Sequence, residues 1–404
     1  MNDDWEYLSK SEGIGGEIKI SPDEFIVEEI SQDGTVMEIN KKIEKPDADA
    51  SSGQKGKFTH FILQKRDWTT SSAIKRLSKA LRVGQKRFDY AGTKDKVACT
   101  TQLVSVFAVS KEQLFSLQLK DIQINGAWSA FEKVKTGDLL GNRFKIRWHA
   151  EKEMANAEER VSAILAELGG KFPNYFGPQR FGSIRRNTHR VGELIVRRRF
   201  QEAALHFLAE MSSEENEEAR IARSHLLETS DFSLALREFP KHLRLERSML
   251  AHLAGHSTDY IGAFRKLPRQ TLLMFIHAFQ SWLFNEALSA RIKDGMVRKE
   301  GGEIYCGANA YGFPDQKKAG EDFLCGKLLG YDSEPNEREK EILAGHGISL
   351  SDFEIREMPE LSSKGCFRPL LCPLKDFEFR EGVFSFSLPS GAYATSALRE
   401  FTKK

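Results

Sequence analysis

Through its first half this chain alternates short strand-like runs with helical ones, and from about Thr188 it turns to long helical patterns with charged faces. A strand-like period returns at residues 382–388 (GVFSFSL), followed by the turn Pro389-Ser390-Gly391 and a short terminal helix. This change of period is the strongest constraint on the fold. A two-residue repeat buries one face of a sheet, whereas a 3.6-residue repeat buries one face of a helix. The order predicts an α/β or α+β domain made from the two ends of the chain, with a mostly helical segment inserted between them. A length of 404 residues suits two domains of ordinary size.

Individual elements follow from the same patterns. Residues 17–20 and 24–30 (EFIVEEI) read as two short strands joined through Ser21-Pro22-Asp23, and residues 58–64 (FTHFILQ) as a third. Thr69 or Thr70 caps a helix whose apolar positions are Ile74, Leu77 and Leu81. In 142–148 (NRFKIRW), Phe144, Ile146 and Trp148 alternate with Arg143, Lys145 and Arg147, which makes a half-buried strand with a basic outer face. That face is either solvated or an RNA contact. A helix over 151–168 stops at Gly169-Gly170, and one over 271–292 carries Leu272, Phe275, Ile276, Phe279 and Leu283 on one stripe. Residues 41–57 are polar and Gly/Ser-bearing, a loop.

Composition narrows the function. The formal net charge is only +2, yet seven arginines fall between Arg180 and Arg199 while residues 210–218 are strongly acidic. Five widely spaced cysteines without a C-x-x-C predict a reducing, cytosolic compartment rather than a disulfide framework. The most apolar long stretch, 271–284, is too short for a membrane span and holds His277 and Gln280. The sequence has neither a phosphate-cradling G-x-x-x-x-G-K-[ST] loop nor a G-x-S-x-G elbow. His252 and His256 have no accompanying acidic ligand pattern and read as surface or core histidines rather than a metal site.

Two stretches carry candidate chemistry. Residues 91–102 (AGTKDKVACTTQ) lie between a short apolar run and the strand-like LVSVFAV, and place Asp95 between Lys94 and Lys96. Opposite charge nearby favours an ionised carboxylate, which suits a nucleophile or base better than a proton donor; the plain alternative is an exposed hairpin turn. Residues 174–182 (NYFGPQRFG) make a stiff loop in which Tyr175 or Phe176 offers a ring to an extruded base, with Arg180, Arg185 and Arg186 near the adjoining phosphates. Base–aromatic stacking of about 1–3 kcal/mol offsets the few kcal/mol lost on unstacking. The alternative there is a core-lining turn followed by a solvated basic helix. One carboxylate, several cations and an aromatic loop suit cofactor-free chemistry on a polyanion.

The chain resembles the TruD family of tRNA pseudouridine synthases along essentially its whole length. Six segments match in the family's order: 19–29 (KISPDEFIVEE), 91–102, 139–146 (LLGNRFKI), 174–182, 279–292 (FQSWLFNEALSARI) and 388–401 (LPSGAYATSALREF). The resemblance implies an α+β fold, with a catalytic domain on a mixed, largely antiparallel sheet formed by residues 1–187 plus about 368–404. Residues from about 188 to 367 would be an inserted, mostly helical α/β domain. It implies Asp95 as the catalytic aspartate, with Lys19, Phe25, Asn174 and Phe176 as functional positions; Arg180 is placed on the substrate by the reading of its loop alone. Lys19 would pair with Asp95, and Phe176 would stack on the flipped uracil. Phe25 is equally placed to pack in a core, and Asn174 to orient the loop by bonding backbone groups.

The implied reaction breaks the C1′–N1 bond of uridine, rotates the uracil and rejoins it through C5, without a cofactor, nucleotide or metal. The aspartate either attacks C1′ or removes the 2′ proton. The implied partner is tRNA, with uridine 13 of the D-arm as target, acted on by a cytoplasmic monomer. Two alternatives are a non-catalytic RNA-binding protein using the same loops, and the same isomerase acting at other RNA positions. A methyltransferase would need a glycine-rich cofactor loop, and a zinc deaminase its H-x-E and P-C-x-x-C ligands; the sequence has neither.

Overall fold

The computed structural model describes residues 5–18, 21–48, 56–150, 156–182, 184–213, 215–295 and 297–404. They form two compact units, one of residues 8–172, 307–318 and 371–404, the other of 5–7, 173–306 and 319–370.

The first unit is built on an eight-stranded sheet. Its strands are β1 (Phe25–Ile30), β2 (Phe58–Arg66), β3 (Phe88–Tyr90), β4 (Cys99–Phe107), β5 (Ile122–Ala130), β6 (Gly141–Arg147), β7 (Lys375–Arg380) and β8 (Val383–Pro389). They lie in the order β7-β8-β6-β1-β4-β2-β5, with β3 paired to β4. β1 and β4 are parallel, with Ile26 opposite Cys99; the other pairings in this sheet are antiparallel. The alternation expected in β6 is present. Phe144 and Ile146 are buried with Phe384 and Phe386 of β8 and with Val161, Ile164, Leu398 and Phe401 of two helices, Ala157–Leu168 and Ala394–Thr402. Each buried side chain of this size contributes about 1.5–3 kcal/mol. A second cluster joins Phe61, Val104 and Val106 to Ile74 and Leu77 of the helix Thr70–Ala80. Thr69 caps that helix by accepting from the Ser72 amide at 3.1 Å.

The basic face of β6 is largely neutralised. Arg143 pairs with Glu28 at 2.6 Å and Glu38 at 3.2 Å, and Lys145 lies 3.8 Å from Glu28. The first expected strand departs from its reading. Glu17 bridges His149, and the described part of 17–20 does not pair with β1, because both edges of β1 are taken by β6 and β4. The helix expected over 151–168 is described from Ala157, ends in Gly169 with φ 56°, and its residues 151–155 lie outside the described set. Within the expected loop 41–57, residues 49–55 lie outside it too. The described part is tied down by Ile43 N–H donating to Asn125 O at 2.8 Å.

The second unit is mostly helical around Arg269–Lys293, a 25-residue helix. Its burial is wider than the single stripe expected. Ala278, Gln280, Ser281, Trp282, Phe284 and Asn285 are buried alongside Phe275, Ile276 and Phe279. The helix Thr188–Val196 accounts for part of this, because it approaches at Gly192, where a Cβ would stand 2.0 Å from the Phe275 carbonyl oxygen. In the same unit the strand Phe323–Leu328 pairs antiparallel with Cys366–Pro369 and with Ile304, Tyr305 and Cys306. None of the five cysteines forms a disulfide among the described residues. Among the described residues no helix is long and apolar enough to cross a membrane.

Candidate active site

β3 ends with Tyr90 opposite Val104, and β4 starts at Cys99, so residues 91–98 leave the sheet where β1 replaces β3 along the edge of β4. Buried polar groups fix this loop. The Lys94 amide donates to Thr70 Oγ1 at 2.9 Å, and the Thr70 hydroxyl donates to Gln102 Oε1 at 2.8 Å. Gln102 Nε2 then donates to the Gly92 carbonyl at 2.9 Å, closing a ring of contacts. Lys65, fully buried, donates from Nζ to the carbonyls of Trp68 at 2.6 Å and Asp95 at 2.8 Å. Burial pushes its ammonium down to about 8, against the upward pull of the Asp95 charge.

The flanking lysine does not serve Asp95 as the sequence suggested. Lys94 turns inward, pairing with Glu29 at 2.8 Å and donating to Asn142 Oδ1 at 2.6 Å. Glu29 is completely buried and its other oxygen accepts from the Leu103 amide at 3.0 Å. A buried carboxylate without a cation costs several kcal/mol, and Lys94 is the cation that answers it. Asp95 itself is exposed, as are Thr93, Lys96 and Val97. The loop therefore holds the Asp95 backbone from inside and points its carboxylate at solvent. Lys19, the expected partner of Asp95, lies outside the described residues.

Phe25 stands in the core of the same unit, 8% exposed, with its ring edge-on to Phe144 at 6.3 Å. Among the described residues no hydrogen bond, ion pair or ring contact joins it to Asp95. Packing, the second of its two sequence readings, is what its surroundings provide.

Asn174, Phe176 and Arg180 belong to the second unit. The Asn174 amide N–H donates to Leu370 O at 2.9 Å and its Nδ2 to Pro369 O at 2.8 Å, so it bonds backbone groups, but ones far along the chain rather than within its own turn. It also accepts from Arg368, through Oδ1 from Nη2 at 2.6 Å and through its carbonyl from Nε at 3.1 Å. The Arg368 guanidinium thereby lies 3.9 Å from the Phe176 ring centroid. Phe176 is also clamped through its backbone by fully buried Asn285, whose Oδ1 accepts from the Phe176 amide at 2.9 Å and whose Nδ2 donates to its carbonyl at 3.0 Å.

The bare ring expected of this loop is not there. Phe176 carries Arg368 on one face and meets Phe284 edge-on at 5.8 Å, while Tyr175 is buried with its hydroxyl on the Glu6 carbonyl at 3.0 Å. A desolvated cation–π contact is worth about 2 kcal/mol, enough to hold this stack. Arg180 is half-buried, its Nε donating to Ser281 Oγ at 3.0 Å. Arg185 is turned inward onto the Phe207 carbonyl and Glu246, away from any phosphate role; Arg186 is exposed. His252, half-buried, bonds Asp259 at 2.7 Å and stacks on exposed His256.

Sequence reading missed Lys65, Glu29, Thr70, Gln102, Asn285 and Arg368. The first four have a usable signal, since each is a polar residue within or beside an apolar strand or helix pattern and needs a partner when buried. Arg368 has none, because its neighbours in space are almost two hundred residues away along the chain.

The fold is α+β on a mixed, largely antiparallel sheet, and comparison with known proteins gives its type. A crystal structure of the protein designated tRNA pseudouridine synthase D (TruD) in Methanosarcina mazei matches with a TM-score of 0.76 at 35% identity, covering 99% of this chain and 96% of that one. A protein of the same designation from that organism is 36% identical over 437 residues, 98% of this chain and 95% of its own length. One from Methanopyrus kandleri is 40% identical over 90% of each chain. The model of the family described as tRNA pseudouridine synthase D (TruD) matches residues 4–401. This chain belongs to the TruD family.

Proposed function

We propose that this protein isomerises uridine to pseudouridine in tRNA, with Asp95 as the catalytic carboxylate. The observation that carries this reading is an exposed carboxylate on a loop whose backbone is pinned from within by Thr70, Gln102, Lys65 and the Lys94–Glu29 pair. Reactions at a sugar carbon need the attacking group held within a fraction of an ångström, and buried polar contacts supply that rigidity. Family membership supports the reaction type.

The C1′–N1 bond breaks and a C1′–C5 bond forms, while the C5 proton leaves to solvent and N1 gains one. Asp95 acts on the ribose, as nucleophile at C1′ or as base at the 2′ position. The target is uridine 13 of the D-arm, extruded from its stack at a cost of a few kcal/mol. Asn174 positions the 174–182 loop, Arg180 and the Arg368–Phe176 stack are its ligand-facing groups, and Lys19 is the proposed partner of Asp95. The proposed domains are residues 1–187 plus about 368–404 for catalysis and about 188–367 for the insertion; the compact units divide at 7/8, 172/173, 306/307, 318/319 and 370/371. A cytoplasmic monomer is the proposed working form.

The test is tritium release from tRNA labelled at uridine C5, with wild type and Asp95→Asn, without added cofactor. Release by the wild type alone supports both isomerisation and the residue. Equal release removes Asp95 from its role, and tRNA binding without release by either turns the reading to an RNA-binding protein. Transcripts with uridine 13 replaced by cytidine locate the target, since retained release would place it elsewhere.

A further inference from the structure

The 20 residues from Thr69 to Phe88 hold six cations, Lys75, Arg76, Lys79, Arg82, Lys86 and Arg87, and no acidic residue, although the whole chain balances 60 basic against 58 acidic residues. All six are exposed. Among the described residues none has an ion-pair or side-chain hydrogen-bond partner. The contrast with β6 is sharp, since Arg143 and Lys145 there are answered by Glu28 and Glu38.

The fold leaves these charges exposed on one helix and on the turn that follows it. The helix Thr70–Ala80 buries Ala73, Ile74 and Leu77 and leaves Lys75, Arg76 and Lys79 outward. Lys75 and Lys79 are about 6 Å apart along its axis. The chain then turns at Arg82 with φ 57°, and the short turn Gln85–Arg87 adds Lys86 and Arg87. Thr70, at the start of this helix, is the residue that receives the Lys94 amide, so the charged element also sets the Asp95 loop.

We propose that this face is a docking surface for the phosphodiester backbone of the tRNA, gripping it outside the modified nucleotide. The inference rests on tRNA being the substrate. Unanswered like charges repel one another in the free protein, and a polyanion relieves that repulsion and releases its own counterions on binding. Surface cations need no desolvated geometry to do so, which is why the patch is spread over a helix and a turn rather than gathered in a pocket.

The experiment measures tRNA affinity between about 50 and 200 mM salt and steady-state turnover for wild type and the quadruple variant Lys79→Gln, Arg82→Gln, Lys86→Gln, Arg87→Gln. A control neutralises Lys135 and Lys340, which are paired with Glu132 and Glu337. Each lost phosphate contact lowers the slope of log affinity against log salt by about 0.7–0.9, so the loss of all four lowers the variant's slope by about 3–4. KM rises accordingly while kcat at saturating tRNA changes little, and the control keeps the wild-type slope. An unchanged slope and KM in the quadruple variant, or an equal loss in the control, overturns the proposal. If the wild type binds tRNA with this slope but releases no tritium, docking stands and the isomerase reading falls.

Discussion

The loop around Asp95 and the loop around Phe176 differ in composition and use their residues in opposite ways. In the first, the charges flanking the candidate side chain are pulled inward, Lys94 onto Glu29 and Lys65 onto backbone carbonyls, and the carboxylate is left outside. In the second, the candidate side chains are themselves drawn in. Asn174 is 2% exposed and Phe176 7%, and both are engaged with Arg368 or Asn285. A residue that acts on a ligand must stay accessible, and the framework that holds it need not. By that measure the first loop presents its chemistry directly, while the second presents a guanidinium–aromatic stack rather than a lone ring.

This contrast breaks most visibly at Asp95. Asp95→Asn should lower kcat/KM by about 10²–10⁴-fold or more, the scale of a positioned acid–base group. As an exposed residue, it should change unfolding free energy by no more than about 0.5 kcal/mol. A variant that unfolds early would instead make Asp95 structural.

Lys94 should behave in the reverse manner. Lys94→Met leaves Glu29 buried and uncompensated, a loss of about 3–5 kcal/mol in urea unfolding. Adding Glu29→Gln should restore part of that, since the two effects share one interaction. Additive losses would mean that the pair does not carry the loop.

For the second loop, Phe176→Ala should cost about 3–5 kcal/mol of stability, and Asn174→Ala about 1–3 kcal/mol from the bonds left unmade. Phe176→Leu sharpens the point. If it unfolds like the wild type yet loses turnover, the ring acts on the substrate and the stack opens during reaction.

The two units should also respond to pH with opposite sign. His346, between Glu193 at 3.2 Å and Glu286 at 2.9 Å, is raised by those hydrogen bonds from 6.5 to about 9. Its contribution is complete below pH 6.5 and is lost as pH rises through 9, up to about 3 kcal/mol at 1.36 kcal/mol per unit. Lys65, pushed down from 10.5 to about 8, does the reverse. Its buried ammonium weighs against folding below pH 8, and that burden lifts as pH rises toward 10.5. Urea unfolding of His346→Gln and Lys65→Met across pH 6–10.5 checks both, and unchanged slopes would remove these groups from the balance.

Much of the frame was legible beforehand. The strand periods of β1, β2, β6 and β8, the Thr69 cap, the Gly169 stop and the long helix all follow from local spacing and chemistry, so a single sequence carries them. Legibility failed where a side chain's partner is far away in the chain. Nothing near Lys94 announces Glu29, 65 positions before it, and nothing near Phe176 announces Arg368.

The sequence by itself therefore determined where strands and helices form and which short stretches carry unusual chemistry, because those depend on neighbours within a few residues. It also determined the acid-free run from Thr69 to Phe88. Tertiary structure decided which of those charges are spent internally and which stay exposed. That choice follows from burial, since a charge taken out of water must find a partner wherever the fold brings one, and a charge left in water need not.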